Sequence, residues 1–520
     1  MSASPVTLFT GMRAYTLESG RPVVEAMAVV GGRIVATGEG SALREAFPTH
    51  HRIDLGGRTV LPGLTDSHVH FLSYGLSLRR IDLAETRSLR DAVERVRQAA
   101  ASAPEGSWVL GRGWDKNLWP EGRWPTRDDL DPISGAHLVA LTSKDGHLLW
   151  VNSAVLREAG IDPATPDPKG GEIVREASGR LTGVLKEEAK AAVHAVMARP
   201  DSRGMRLAVA EATAAAHRMG LVGVHDMEGP DAFAVFQTLY LEGALRVRVW
   251  MTIPAAHLDR AAAVGLRTGL GDDWLRVGGV KIFADGTLGS QTASMLEPFR
   301  GEPANIGLPI HTPEELYDLV GRGVQSGLWP VIHAIGDRAN REVLDAFTLH
   351  RVAARQAGVR FRIEHVQLLH PSDLPRLAAL GVIASMQPIH CTSDRDIADR
   401  YWGARSRTAY AWRSLLRMGT VLAFGSDAPV ETLDPWQGLY AAVARRRPDD
   451  PREAWYPDQA LTVEEAIRAY TVGAAVASGE EEVKGRLLPG HLADFIVLDR
   501  DVLHEPPEAL LQTQVLATVI

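Results

Sequence analysis

LPGLTDSHVHF (residues 61–71) reads as an apolar β-strand whose far end carries two histidines. Successive side chains of a strand face opposite ways, so Asp66, His68 and His70 point together. Two neutral imidazoles spaced this way can bind one metal ion. Strand histidines also occur where they only satisfy core hydrogen bonds, so the pair needs further donors to carry chemistry. The preceding Pro-Gly-Leu places it on the opening strand of a domain, directly after a β-rich stretch.

Upstream, the first sixty residues read as short strands. Val23–Val30 and Arg33–Thr37 flank Gly31-Gly32, a hairpin turn pair. A strand is expected over His51–Leu55, followed by a turn at Gly56-Gly57. The C-terminal segments ADFIVLD (Ala493–Asp499) and VLATVI (Val515–Ile520) have the same character. The expectation is one small β-sandwich domain assembled from both termini, residues 1–61 and 479–520; separate terminal hairpins are the alternative.

Downstream, apolar strands alternate with helical segments, the pattern of a parallel α/β architecture. Candidate strands are Thr65–Phe71, Leu221–Met227, Arg246–Ile253, Val277–Asp285, Pro330–Ile335, Phe361–Val366, Val382–Gln387 and Val421–Ser426. Eight such strands close a (β/α)8 TIM barrel, here over residues 62–478, and an open doubly wound sheet is the competing arrangement. Helix starts carry capping boxes: Thr312, Pro313 and Glu315 in HTPEEL, Thr462 and Glu465 in LTVEEAIRAY. An insertion at about residues 80–215 separates the first two strands, far longer than a βα connection requires. It holds Trp108, Trp114, Trp119, Trp124 and Trp150. Insertions after a barrel strand emerge at the catalytic face, so these rings, Trp114 among them, suit either a pocket wall or the insertion's own core.

Other strands end in residues suited to a divalent metal. PVIHAIG offers His333, RIEHVQ offers His365 and LAFGSDAPV offers Asp427. An unpaired polar group in an apolar strand costs several kcal/mol, so several of them at the mouth of one barrel suggest convergence on one centre. In GGVKIFADGTLGSQTA, alternation puts Lys281, Phe283 and Asp285 on one face. Burial lowers a lysine pKa, and a neutral amine can take up carbon dioxide as a carbamate, an anionic ligand able to bridge two metals. Pairing of Lys281 with Asp285 is the plainer alternative.

Bulk properties narrow the class. The 520 residues are 45% hydrophobic and 23% charged, and 56 basic against 64 acidic residues give a formal charge of −8. With no long basic cluster, this argues against nucleic acid or an anionic membrane as partner. One cysteine, Cys391, cannot form an intrachain disulfide, and no signal peptide or membrane-length apolar run is seen, which points to the cytoplasm.

Taken in order, PGLTDSHVH, VKIFADGTLGS, HAIGDRA, IEHVQ and GSDAPV resemble the amidohydrolase superfamily, in the branch that includes N-substituted formamide deformylases. The resemblance covers essentially the whole chain. It implies a distorted TIM barrel with a small β-sandwich. His68 and His70 would hold the more buried metal, and Lys281, as a carbamate, would bridge. His333 and His365 would hold the second metal, with Asp427 as ligand and proton-handling carboxylate. It also points to His147, in DGHLLWVNSAVL, as a substrate contact, though a helix-cap histidine fits as well. His225 and Asp226 suit an orienting role behind the ligands. Arg338 suits a substrate carboxylate or a loop anchor, and Gln387 a substrate hydrogen bond. Such proteins continue past VLATVI into a further strand, which leaves the β-domain's completeness at Ile520 open.

The implied reaction is hydrolysis of a C–N bond, an amide or an N-acyl or N-formyl amine, by metal-activated water. One or two ions, zinc or else manganese, iron or cobalt, would serve. The expected partner is a small molecule, with a homodimer as the commonest oligomer. An ester or cyclic-amidine hydrolase is the nearest alternative, since the metal does not select the leaving group. A catalytically silent metal- or ligand-binding protein is a second, which metal analysis discriminates. A Schiff-base enzyme using Lys281 is a third, open to borohydride trapping.

Overall fold

The computed structural model describes residues 5–520 apart from 85, 145, 147, 169 and 198–200. The chain divides into two compact units, Met1–Phe71 with Ala212–Ile520, and Leu72–Glu211.

The first unit is centred on eight strands. They are β1 (Leu64–Val69), β2 (Leu221–Asp226), β3 (Arg248–Pro254), β4 (Leu275–Phe283), β5 (Pro330–Ala334), β6 (Arg362–His365), β7 (Ile383–Met386) and β8 (Val421–Phe424). Each pairs in parallel with the next in chain order. β1 and β8 share no ladder. The residues just past β8 close the gap instead: Asp427 N–H donates to His68 O at 2.7 Å, and His70 N–H to Ala428 O at 2.8 Å. Ser426 N–H adds a bond to Asp66 Oδ1 at 3.0 Å. These bonds make the sheet a nearly closed barrel and remove the doubly wound alternative, whose first and last strands lie apart. Gly425 permits the approach, since a Cβ there would lie 2.4 Å from His68 N.

The same unit carries a seven-stranded sheet drawn from both ends of the chain. Val515–Val519, Phe495–Leu498, His51–Pro62, Thr7–Tyr15, Ala26–Val30 and Arg33–Gly38 neighbour one another in that order, with Val23–Val24 on Thr7–Tyr15. Alternation gives it two apolar faces, one with Phe9, Met27, Val60 and Phe495, the other with Leu8, Ala26 and Ala28. Gly31 and Gly32, at φ 57° and 77°, make the expected hairpin turn. Gly56-Gly57 does not. The strand runs through from His51 to Pro62, parallel to Thr7–Tyr15 on both sides of a bulge opposite Gly11. The positive φ values of Gly56 and Gly57 are used there, with Asp54 Oδ1 accepting from Gly56 N–H, to insert residues without reversing the chain. Both capping boxes form: Thr312 and Glu315 exchange bonds ahead of Pro313–Ser326, and Thr462 and Glu465 ahead of Val463–Arg468.

The second unit, Leu72–Glu211, begins and ends somewhat before the expected insertion of about 80–215. Its six-stranded sheet runs Gly171–Arg175, Leu181–Glu187, Leu148–Val151, Leu138–Ser143, Trp108–Trp114 and Ile81–Asp82. One face buries Trp114, Trp119 and Trp150 with Leu83, Val96 and Leu130. Trp108 packs at the margin of the other core, and Trp124 is exposed beneath the Lys116 and Lys186 ammonium groups.

Candidate metal centre

Parallel strands deliver their C-terminal ends to one rim, and the register fixes which residues are level. His333 lies beside Phe283 and Glu364, and Ala334 beside His365. His68 is 1% exposed, and its Nδ1 lies 2.5 Å from Glu364 Oε2. A carboxylate can only accept here, so Nδ1 carries the proton and Nε2 keeps its lone pair. His365 repeats the arrangement, with Nδ1 bonded to Gln387 Oε1 at 2.7 Å. Strict alternation turns His365 away from the face shared by Arg362 and Glu364. A left-handed backbone at His365, φ 74°, brings its ring within 4.7 Å of the His68 ring, centroid to centroid. Asp427 is left-handed too, at φ 60°. Such backbones in non-glycine residues cost about 1–3 kcal/mol and cluster at functional sites.

His68, His365 and Asp427 each offer a ligand atom, all within 4.8 Å of one another. His70 Nε2 and His68 Nε2 both lie 3.5 Å from Asp427 Oδ1. The His333 and His365 rings are 4.6 Å apart, and His333 Nε2 donates to Gly286 O at 3.0 Å, which leaves Nδ1 as its free lone pair. Burial, seconded by Lys281, depresses the pKa of His68 to about 4 and of His333 to about 3. Burial and the neighbouring His333 likewise hold His365 well below its ordinary value. Three neutral imidazoles with lone pairs free, around a carboxylate, form the donor set of a divalent cation. Burial works against the charge on Asp427, but His390 and His70 outweigh it and keep the group ionised.

Lys281 is 3% exposed, with Nζ 4.8 Å from the centre of the Phe283 ring. Among the described residues Nζ has no hydrogen-bond partner, and burial lowers its pKa to about 8. The pairing with Asp285 does not form. That carboxylate accepts instead from the N–H groups of Ser294, Ile335 and Gly336 at 2.8–3.0 Å. A buried amine with a lowered pKa and no partner fits conversion to a carbamate.

The remaining expected residues separate. His225 Nδ1 accepts from Arg362 Nη1 at 2.9 Å, and Arg362 Nε donates to Glu364 Oε1 at 2.5 Å. His225 therefore stands two residues behind His68. Asp226 accepts from Phe71 N–H and Glu228 N–H, each at 2.9 Å, and so anchors the chain where it leaves β1. Gln387 is 2% exposed and orients His365 through Oε1, while its Nε2 has no partner among the described residues. Arg338 Nε donates to Glu342 Oε1 at 2.8 Å, one turn further along the same helix, Asp337–Ala357. Trp114 is 1% exposed with its indole N–H on Leu141 O, so it belongs to the insertion core rather than a pocket wall. His147 lies outside the described residues. Three residues were not anticipated: Arg362, Glu364 and His390, whose Nε2 is 3.2 Å from Asp427 Oδ2. Burial opposes a charge on His390, but Asp427 raises its pKa to about 9. Arg362 and Glu364 stand two apart in an apolar strand, a signal equal to that of His68 and His70; His390 follows β7 with no pattern to mark it.

A barrel with this donor set defines a hydrolase of the amidohydrolase type. The model described as "Amidohydrolase family" matches residues 52–520, and the chain belongs to that family. Among relatives, Protein LONG AFTER FAR-RED 3 of Arabidopsis thaliana is 34% identical over 506 residues, 94% of this chain and 86% of its own. N-substituted formamide deformylase of Arthrobacter pascens is 28% identical over 526 residues, 97% of this chain and 95% of its own. The crystal structure of an uncharacterized metal-dependent hydrolase from Pyrococcus horikoshii OT3 superposes with a TM-score of 0.82 at 28% identity, covering 97% of this chain and 99% of that one.

Proposed function

We propose that the chain hydrolyses a non-peptide C–N bond, an amide or an N-acyl or N-formyl amine, in a small-molecule substrate in the cytoplasm. The observation that carries this reading is the convergence of His68, His365 and Asp427 within 4.8 Å, beside the unpartnered Nζ of Lys281. His68, His70 and Asp427 would hold one divalent ion, zinc by preference, and His333 and His365 a second, with Lys281 as a bridging carbamate. Ions held there supply a Lewis acid for the substrate carbonyl and a lowered pKa for the attacking water, from 15.7 towards about 7.

The chain's own residues do the rest. Glu364 and Gln387 hold the tautomers of His68 and His365 that leave Nε2 as donor. Asp427 stays ionised, so it can take a proton from the attacking water and return it to the leaving nitrogen, which departs poorly as an anion. The relative named N-substituted formamide deformylase supports a formyl or acyl amine as substrate. An ester in place of the amide uses the same centre and is separated by assay. Screening N-formyl and N-acyl amines with zinc-loaded protein tests the reading. Asp427→Asn is expected to keep at least part of its metal and to lose about 10²–10⁴-fold in kcat; retained turnover would sink the proton shuttle.

A further inference from the structure

His390 sits in the short helix Pro388–Ser393 just after β7 and is 7% exposed. Its Nε2 is 3.2 Å from Asp427 Oδ2, while Asp427 Oδ1 faces His68 and His70, 3.5 Å from each Nε2. The two oxygens of one carboxylate thus have different neighbours. The backbone of Asp427 is already fixed by its N–H bond to His68 O. The freedom left is rotation about the two side-chain torsions, which swing and turn the carboxylate, and a donor on Oδ2 restricts both. His390 is itself held by its N–H bond to the carbonyl of Gln387, the residue whose side chain orients His365. One turn after β7 therefore governs both a histidine and the carboxylate at the centre.

We propose that His390 is a positioning residue for proton transfer: by holding Asp427 Oδ2 it keeps Oδ1 turned towards the histidines, where the proton is taken up. The proposal rests on the function read above. The pairing has a second geometric support, since both partners are nearly sealed from solvent. Water therefore competes weakly for either, and a hydrogen bond there is stronger than at the surface.

The test compares wild type with His390→Ala, and with His390→Gln, which keeps an N–H donor at about the same reach. Three quantities are measured: bound metal by elemental analysis, the visible spectrum of the cobalt-loaded protein, and kcat and KM on the best N-formyl or N-acyl amine. Circular dichroism checks folding. Expected are unchanged metal content in both variants and a kcat about 10–100-fold lower in His390→Ala with KM within twofold. The cobalt bands should shift in His390→Ala, and His390→Gln should recover part of both kcat and spectrum. An unshifted cobalt spectrum with kcat within twofold of wild type overturns the proposal. Loss of metal from both variants also overturns it, since His390 would then be a ligand. If wild type turns over none of the amides while the cobalt bands still shift in His390→Ala and return in His390→Gln, the functional reading fails and the positioning role stands.

Discussion

Glu364 shows how much a single buried carboxylate can decide. It is fully buried, yet Arg362 and His68 outweigh the cost of burial and keep it ionised. Arg362 donates to both oxygens, at 2.5 Å to Oε1 and 3.3 Å to Oε2, and Oε2 also fixes the proton of His68. Glu364→Gln keeps the shape but can present an N–H to His68, so metal affinity should fall about 10–100-fold; competition with a chromogenic chelator measures this. Asp66 makes a different case, because burial raises its pKa to about 7. A group whose folded pKa exceeds its unfolded value of 3.8 stabilises fully below that value, and the stabilisation is lost as pH rises through 7. Asp66→Asn keeps an acceptor for His68 N–H and Ser426 N–H but carries no charge. In metal-stripped protein the advantage of wild type in urea midpoint should therefore shrink between pH 5 and pH 8; an unchanged gap would contradict the assignment. At this scale the sequence was legible where a polar residue interrupted an apolar strand, as at His68, His333 and Asp427. Roles were less legible. Gln387 and His225 bond to neighbours that only the fold supplies, and the alternation of Arg362 and Glu364 does not by itself say which histidines they face.

Strand by strand, the barrel followed from apolar segments of the right length, because a strand buried on both faces has little choice of residue. The bulge at Gly56-Gly57 did not follow, since two glycines at positive φ serve a turn or a bulge equally and the partner strand decides. Closure was equally invisible. The seam between β1 and β8 depends on backbone bonds from Ser426 and Asp427, and on the missing side chain of Gly425. Gly425→Ala would set a Cβ 2.4 Å from His68 N and 2.6 Å from Asp66 Oδ1. Backbone has little room to yield, so the seam should part, costing about 1–3 kcal/mol and displacing His68. The expected outcome is a lower melting temperature together with loss of bound metal; a variant with wild-type metal content would argue against coupling of seam and centre.

For the whole molecule, no described helix is long and apolar enough to cross a membrane. The candidate ligands come from β1, β4, β5, β6 and the turn after β8, so a bound ion stabilises the folded barrel over any partly folded chain. Zinc at a hundred times its dissociation constant should stabilise the stripped protein by about 2.7 kcal/mol. A thermal-shift titration reads this, and His68→Ala should reduce the shift; an equal shift in that variant would place the ion elsewhere.

The seam also bears on the order in which the chain is made. Asp66 and Ser426 are 360 residues apart in sequence, yet they hydrogen-bond. On a ribosome, His68 and His70 emerge long before Asp427, and the whole of Leu72–Glu211 is synthesised in between. Until the turn after β8 leaves the exit tunnel, His68 and His70 lack the carboxylate of Asp427 and the barrel has an open flank. A truncated chain lacking that turn lacks one of the three groups that converge within 4.8 Å.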